Sequence, residues 1–161
     1  MVDTPSTMLV TGAGTGFGRG AAVALARRGH RVIGGTLTAE EAASLDDEGI
    51  DGLEGRKLDI TDEADLAALS ELEVDVLLNN AGRGQLGPLA HVPMDKVRQV
   101  FEVNVFGTLR VTQAVLAGMI ERGRGRVIIV SSIAGVSSGA LSGPYAMTKH
   151  ALEAMTMSLR I

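Results

Sequence analysis

The chain has 161 residues, with 15 Lys and Arg against 19 Asp and Glu, and a net charge of -4. This length suits one domain that buries roughly two-thirds of its unfolded surface, and an apolar content of 45% argues against disorder. The lack of cysteine excludes disulfides and thiolate metal sites. The slightly acidic balance disfavours nucleic acid and anionic membranes as partners.

Short apolar runs alternate with helix-like segments along the chain. Predicted strands cover residues 8–10, 31–35, 56–58, 74–78 and 126–130, and predicted helices cover 18–28, 39–47, 62–70, 94–120 and 145 to the end. The long segment 94–120 contains Gly107 and Gly118, so it forms either two helices or one interrupted helix. This alternation predicts an α/β fold, in which a doubly wound parallel sheet of the Rossmann-like kind carries helices on both faces.

Targeting and metal-binding signals are weak. The polar N-terminus, residues 1–7, lacks the basic start and apolar run of a secretory signal. The uncharged stretch 127–148 is rich in Ser and Gly, which favours a strand and loop over a membrane span. His30, His91 and His150 show no metal-ligand spacing. We therefore expect a cytoplasmic protein with no metal site.

A glycine-rich turn follows the first predicted strand. Residues 11–18 read TGAGTGFG, a T-G-x-x-x-G-x-G pattern that differs from the usual G-x-G-x-x-G in the place of its third glycine. Glycines at the start of a helix let a pyrophosphate approach the free N–H groups and the positive end of the helix dipole. The pattern favours nucleotide binding, although a tight turn that needs positive φ angles would also use glycine.

Tyr145 and Lys149 are four residues apart on a predicted helix, so they share a face. A free phenol has a pKa near 10, and a neighbouring ammonium favours the phenolate and lowers that pKa. Tyr145 could then exchange a proton near neutral pH. Surface packing is the alternative, because such pairs also occur by chance.

Four ordered motifs together resemble the short-chain dehydrogenase/reductase family over nearly the whole chain. They are the glycine turn, residues 79–82 (NNAG), Ser131-Ser132 and residues 145–149 (YAMTK). The spacing in the glycine turn is similar to the compact oxidoreductase branch, because Thr15 breaks the extended-branch pattern.

The resemblance implies four catalytic residues. Tyr145 would be the general acid/base, and Lys149 would lower its pKa and hydrogen-bond the nicotinamide ribose. Ser132 would polarise the substrate carbonyl, while Ser131 supports the loop. Asn104 would hold a water in a proton relay toward the lysine. Taken alone, Ser132 is an ordinary strand-end serine, and Asn104 is a polar residue inside a helix that marks a bend.

The same resemblance implies a nicotinamide cofactor. The positions that would bind it are Gly12, Thr15, Gly16, Phe17, Gly18, Thr36, Asp59, Ile60, Asn80, Ala81, Gly82, Tyr145 and Lys149. Asp59 matches the adenine contact, although it could equally be a helix N-cap. Thr36 stands where NAD-preferring members carry an acid, and Leu37 stands where NADP-preferring members often carry a base. The choice between NAD and NADP stays open.

The resemblance also sets expectations for the whole protein. We expect an NAD(P)-dependent oxidoreductase that interconverts an alcohol and a carbonyl, as a homodimer or homotetramer. Residues 1–161 would be a single dinucleotide-binding and catalytic domain that lacks the family's C-terminal strands and substrate loop. The alternative is a non-catalytic or truncated dinucleotide-binding module. Residues 83–86 and 136–144 would form the rim of the substrate pocket.

Overall fold

The computed structural model describes residues 5–160. Residues 1–4 and 161, where the polar N-terminus begins and the last predicted helix ends, lie outside the described residues. Five strands form one sheet: β1 (Thr7–Thr11), β2 (Arg31–Thr36), β3 (Leu53–Lys57), β4 (Val76–Asn79) and β5 (Arg126–Ile129). The helices are α1 (Gly16–Arg27), α2 (Ala39–Asp46), α3 (Glu63–Ala67), α4 (Met94–Phe101), α5 (Thr108–Glu121) and α6 (Gly143–Ser158).

The sheet has the strand order β3-β2-β1-β4-β5, and every pairing is parallel. The chain moves outward from β1 to β3 on one side and then continues on the other side with β4 and β5. This reversal creates a switch point beside β1, where open α/β sheets bind ligands at the carboxyl ends of their strands. The predicted doubly wound parallel fold is confirmed.

Alternate residues of each central strand supply two separate cores. Leu9 packs in a cluster with Ile33, Leu77 and the apolar side of α5, while its neighbour Val10 packs with Val32 and the small residues of α1. This period of two is what a strand covered on both faces requires. The two cores fix the sheet between its helices, so the carboxyl ends of β1, β2 and β4 are held at one edge.

The segment 94–121 is a continuous helix whose middle turn, Glu102–Gly107, is a π-helix. The prediction that this segment could be one interrupted helix is therefore confirmed. Gly107 lies inside this helix. A Cβ at this position would come 2.8 Å from Ile60 Cγ1, so a side chain here would crowd Ile60. By length and composition this helix could cross a membrane, but its buried residues Val111, Val115 and Met119 pack in the core.

The predicted third strand, 56–58, is shifted, because β3 is Leu53–Lys57. Its five residues, LEGRK, contain little apolar signal, and the strand is defined by its pairing with β2 from Val32 to Thr36. β3 and β5 are the edges of the sheet. On β5, Ile128 remains 42% exposed.

Candidate active site

The glycine turn holds the end of β1 close to the end of β4. Gly12 and Gly16 have positive φ angles of 66° and 56°, a conformation that glycine adopts without steric cost. A Cβ on Gly12 would lie 2.8 Å from Ala81 Cα, and one on Gly18 would collide with the carbonyl of Gly12. Both positions therefore need glycine for backbone approach, while the space around Gly16 is open.

Hydrogen bonds between Thr11 and Asn80 lock these two strand ends together. The Thr11 hydroxyl oxygen accepts the N–H groups of Asn80 and Ala81, both at 3.0 Å. The Asn80 amide donates to the carbonyls of Thr11 and Gly12 at 3.1 and 3.2 Å. Next to it, the Asn79 amide donates to Thr112 on α5 at 2.9 Å. Residues 79–82 thus brace the glycine turn from the adjacent strand.

A cleft of about 730 Å³ opens above this edge. Eight of the sequence-predicted cofactor residues line it: Gly12, Thr15, Phe17, Asp59, Ile60, Asn80, Ala81 and Gly82. The Phe17 side chain is 92% exposed at the start of α1. A glycine turn with open space in front of a helix N-terminus, and a cleft of this size beside it, suits a dinucleotide with its pyrophosphate at the turn.

The Asp59 side chain forms a local turn and does not cap a helix. Its Oδ1 accepts the N–H and the hydroxyl of Thr61 at 2.9 and 2.7 Å, and the N-cap of α3 is Asp62. The alternative that Asp59 is an N-cap is therefore wrong. The turn places Asp59 in the cleft lining at the end of β3.

Thr36 departs from its predicted place, because its side chain does not reach the cleft surface. Thr36 is fully buried, and its hydroxyl lies 2.9 Å from the carbonyl oxygen of Thr38 and 3.3 Å from that of Arg56. The residues that line the cleft after β2 are instead Leu37 and Glu41. Local hydrogen bonding has turned the threonine away from the position that its sequence place suggested.

Asn104 lies in the π-helical turn and connects the cleft to α6. It is 1% exposed. Its Oδ1 accepts the Arg83 N–H at 2.8 Å, while its Nδ2 donates to the Arg83 carbonyl and to the Thr148 hydroxyl, both at 3.0 Å. Short π-helical turns in α-helices are frequent at functional sites. The predicted bend at Asn104 is thus a widened helical turn whose side chain fixes the cleft wall.

Lys149 is buried beneath the end of β5. Its Nζ donates to the Val130 carbonyl at 2.9 Å, and the side chain is 6% exposed. Burial lowers the pKa of the Lys149 ammonium, because the charged form loses hydration. The Nζ lies 5.6 Å from the centre of the Tyr145 ring. The predicted shared face of the two residues on α6 is confirmed, although neither belongs to the residues that line the cleft.

Ser131 and Ser132 follow β5 on the way to α6. Ser132 caps the short turn Ile133–Gly135, and its Oγ accepts the Ala134 N–H at 3.2 Å. The Ser131 hydroxyl is buried and has no hydrogen-bond partner among the described residues. A Cβ on Gly135 would lie 2.7 Å from the Ser131 hydroxyl and 3.1 Å from Glu153 Cγ, so Gly135 packs closely between Ser131 and α6.

The predicted rim segment 136–144 contacts residues that directly follow the other predicted rim segment, 83–86. The Gly87 N–H donates to the Leu141 carbonyl at 2.8 Å, and a Cβ on Gly143 would contact Leu89 at 3.3 Å. Leu86 and Val136, on these segments, are each 71% exposed. Each of the two predicted rim segments therefore exposes an apolar side chain.

Sequence reasoning missed two features of this site. Glu41 enters the cleft from the first turn of α2, a place where the helix dipole alone would favour an acidic side chain. Thr148 lies between Tyr145 and Lys149 and binds Asn104. The pairing of a buried threonine with a buried asparagine 44 residues away leaves no local pattern in the sequence.

A doubly wound sheet with a glycine turn and a cleft at its switch point defines a dinucleotide-binding α/β protein. The family model described as short chain dehydrogenase matches residues 6–161. The chain belongs to the short-chain dehydrogenase/reductase family.

Three relatives illustrate this membership. The uncharacterized oxidoreductase YusZ of Bacillus subtilis is 39% identical over 95% of this chain and 58% of its own length. Human retinol dehydrogenase 8 is 36% identical over 100% of this chain and 55% of its own length. The solved structure of actinorhodin polyketide ketoreductase with NADPH superposes with a TM-score of 0.89 at 33% identity, over 99% of this chain and 65% of that one. The chain thus spans little more than half the length of these curated relatives.

Proposed function

We propose that this chain is the cofactor-binding and catalytic unit of an NAD(P)-dependent oxidoreductase that interconverts an alcohol and a carbonyl. One observation carries the proposal. Hydrogen bonds run from the cleft wall at Arg83 through Asn104 to Thr148 on α6, and Thr148 stands between Tyr145 and Lys149. The family's tyrosine–lysine pair is therefore anchored to the wall of the cleft that suits a dinucleotide.

The glycine turn would hold the pyrophosphate, with Thr15, Gly16, Phe17 and Gly18 at the start of α1. Asp59 and Ile60 would border the adenine, and residues 80–82 would border the nicotinamide side. Bound there, the nicotinamide would supply or accept the hydride. Each of these residues except Gly16 and Gly18 lines the cleft, which supports the assignment.

Tyr145 would be the proton donor and acceptor. In the reductive direction its hydroxyl gives a proton to the carbonyl oxygen as the carbonyl carbon gains hydride, and an alcohol results. In the oxidative direction the phenolate takes the hydroxyl proton back. The Lys149 ammonium, held by the Val130 carbonyl, would favour the phenolate by its charge.

Ser132 and Asn104 would support this proton transfer. The Ser132 hydroxyl can donate a hydrogen bond to the substrate oxygen, because as a cap it uses only an acceptor position toward Ala134. Asn104 would hold the family's relay water. Its three side-chain hydrogen bonds already fix Arg83 and Thr148, so it would also position the cleft wall against α6.

The substrate would be a small molecule with an apolar portion. The exposed Leu86 and Val136 on the predicted rim segments support this proposal. By family resemblance we further propose a cytoplasmic homodimer or homotetramer.

The experiment is a substrate panel of primary alcohols, secondary alcohols, aldehydes and ketones, assayed with NAD and with NADP by nicotinamide absorbance. The proposal predicts turnover with at least one class and one dinucleotide. Dinucleotide binding without turnover on any substrate would favour the non-catalytic module instead. Failure of both dinucleotides to bind would reject the cleft assignment.

A further inference from the structure

The cleft carries an acidic side chain that the family motifs do not include. Glu41 lies in the first turn of α2 and lines the cleft next to Leu37. Its Oε2 accepts the Leu37 N–H at 3.0 Å. A Cβ on Gly14 would lie 2.5 Å from the Glu41 Cδ and Oε2 atoms. The Glu41 carboxylate therefore lies between the glycine turn and the end of β2.

This is the place where open α/β sheets hold the adenosine ribose, and where an acid binds the ribose hydroxyls in NAD sites while a base accommodates the 2′-phosphate in NADP sites. The backbone N–H that follows β2 could donate to a 2′-phosphate, but here it already donates to Glu41. Any side chain at position 14 would collide with the same carboxylate. The 2′-phosphate of NADP could therefore bind here only by displacing the Glu41 carboxylate, so that one anion would take the place of another.

The other charged side chains near Glu41 do not favour a 2′-phosphate either. Asp59, the other charged residue at this end of the cleft lining, is also an acid. Arg83 lines the cleft after β4, which is two strand positions from β2, or roughly 10 Å. Arg19 on α1 is engaged by the Ser44 carbonyl at 2.8 Å and by Glu48 at 2.7 Å, and Lys57 is paired with Asp65 at 2.6 Å.

We propose that Glu41 makes this cleft select NAD over NADP. The inference rests on the proposed function and names a specificity residue for it. The carboxylate accepts hydrogen bonds from the two ribose hydroxyls of NAD and repels the 2′-phosphate of NADP. In this respect the chain differs from the related ketoreductase, whose structure contains NADPH.

A helix-capping role alone would explain part of the geometry. Thr38 caps α2 and accepts the Glu41 N–H at 3.2 Å, so Thr38 and Glu41 have the spacing of a capping box. Glutamine serves equally in a capping box. Glu41→Gln therefore keeps the cap and the side-chain volume while it removes the charge. Glu40 is exposed and absent from the cleft lining, so Glu40→Gln is a matched control for the change in net charge.

The experiment is calorimetric titration of the wild type, Glu41→Gln and Glu40→Gln with NAD and with NADP. We expect the wild type to bind NAD at least about tenfold more tightly, and Glu41→Gln to reduce that ratio about tenfold or more, mainly through tighter NADP binding. Glu40→Gln should leave the ratio unchanged.

A second titration needs no variant. Adenosine 5′-monophosphate should bind the wild type more tightly than adenosine 2′,5′-bisphosphate, even though the bisphosphate offers more contacts. Equal or tighter binding of NADP or of the bisphosphate to the wild type would overturn the inference, as would equal effects of the two Gln variants. If neither dinucleotide binds the wild type, the proposed function itself fails, and that result differs from a change in preference.

Discussion

Asn104 and Thr148 share a buried hydrogen bond of 3.0 Å between Nδ2 and Oγ1. Asn104 also pairs with both backbone groups of Arg83, and the Thr148 hydroxyl donates to the Tyr145 carbonyl at 2.7 Å. One asparagine thus connects the cleft wall, the π-helical turn and the helix that carries Tyr145. The positions of these three elements depend on one another.

Replacement of Asn104 by Ala should lower the free energy of unfolding by about 2–3 kcal/mol, because the Arg83 N–H and carbonyl lose a buried partner. Urea unfolding measures this change. The double variant Asn104→Ala/Thr148→Val should show a coupling of about 1 kcal/mol relative to the two single variants. Additive effects would mean that the two side chains do not act together. Thr148→Ser, which keeps the hydroxyl and changes only the apolar packing, is the control for packing effects at this position.

Gly18 and Gly20 lie in the same helix but should respond in opposite ways to alanine. A Cβ on Gly18 would collide with the Gly12 carbonyl, whereas a Cβ on Gly20 meets nothing within 4 Å. Gly18→Ala should therefore destabilise the protein and weaken dinucleotide binding. Gly20→Ala should raise the free energy of unfolding by about 0.5–1 kcal/mol, since alanine is the better helix former. Chemical unfolding and calorimetric titration test both variants, and changes of the same sign would contradict the account.

Much of the fold could be predicted because it depends on local apolar patterns. The strand predicted at residues 74–78 is a nearly continuous apolar run, as a strand covered on both faces requires, and β4 lies there with Leu77 fully buried. The glycine turn was also predictable from local sequence, because the positive φ angles at Gly12 and Gly16 favour glycine.

What the sequence did not predict depends on tertiary partners. β3 has almost no apolar signal and exists through its pairing with β2. Thr36 was expected in the cleft, but the carbonyls of Thr38 and Arg56 hold its hydroxyl inside. Glu41 was missed because it approaches Gly14 only when the first turn of α2 comes against the glycine turn. The site's polar details follow from contacts between segments that sequence periodicity does not encode.

Ser131 and Ser132 are adjacent but should differ in function. Ser132→Ala removes the hydroxyl proposed to polarise the substrate oxygen, so kcat should fall about 10²-fold or more with little change in dinucleotide affinity. Ser131→Ala removes a buried hydroxyl that has no partner among the described residues, so it should leave kcat nearly unchanged and stability equal or higher. Steady-state kinetics and urea unfolding compare the two. Equal loss of kcat would show that the assignment of Ser132 is wrong.

Lys149 should give stability a distinctive pH dependence. Burial lowers its pKa from the ordinary value of 10.5, so between the lowered value and 10.5 the unfolded chain binds more protons than the folded chain. Stability therefore rises with pH across that window. The difference in unfolding free energy between the wild type and Lys149→Met should grow in favour of the wild type as pH approaches 10.5.

Lys57→Met is the control for this pH effect. The hydrogen bond to Asp65 raises the pKa of Lys57 above its ordinary value of 10.5, so Lys57 stays protonated in both states below that pH. Its contribution should be constant below pH 10.5 and decline above it. Unfolding curves at a series of pH values test both variants. A Lys149 difference that stays constant or shrinks as pH rises would show that the ammonium is not destabilised by burial.

The most direct test is single-turnover kinetics of Tyr145→Phe with bound dinucleotide and a substrate found in the panel. Phe keeps the aromatic ring beside Lys149 and removes only the hydroxyl. We expect the dinucleotide affinity to stay unchanged and the rate of hydride transfer to fall about 10²- to 10⁴-fold. An unchanged rate would contradict the claim that Tyr145 transfers the proton.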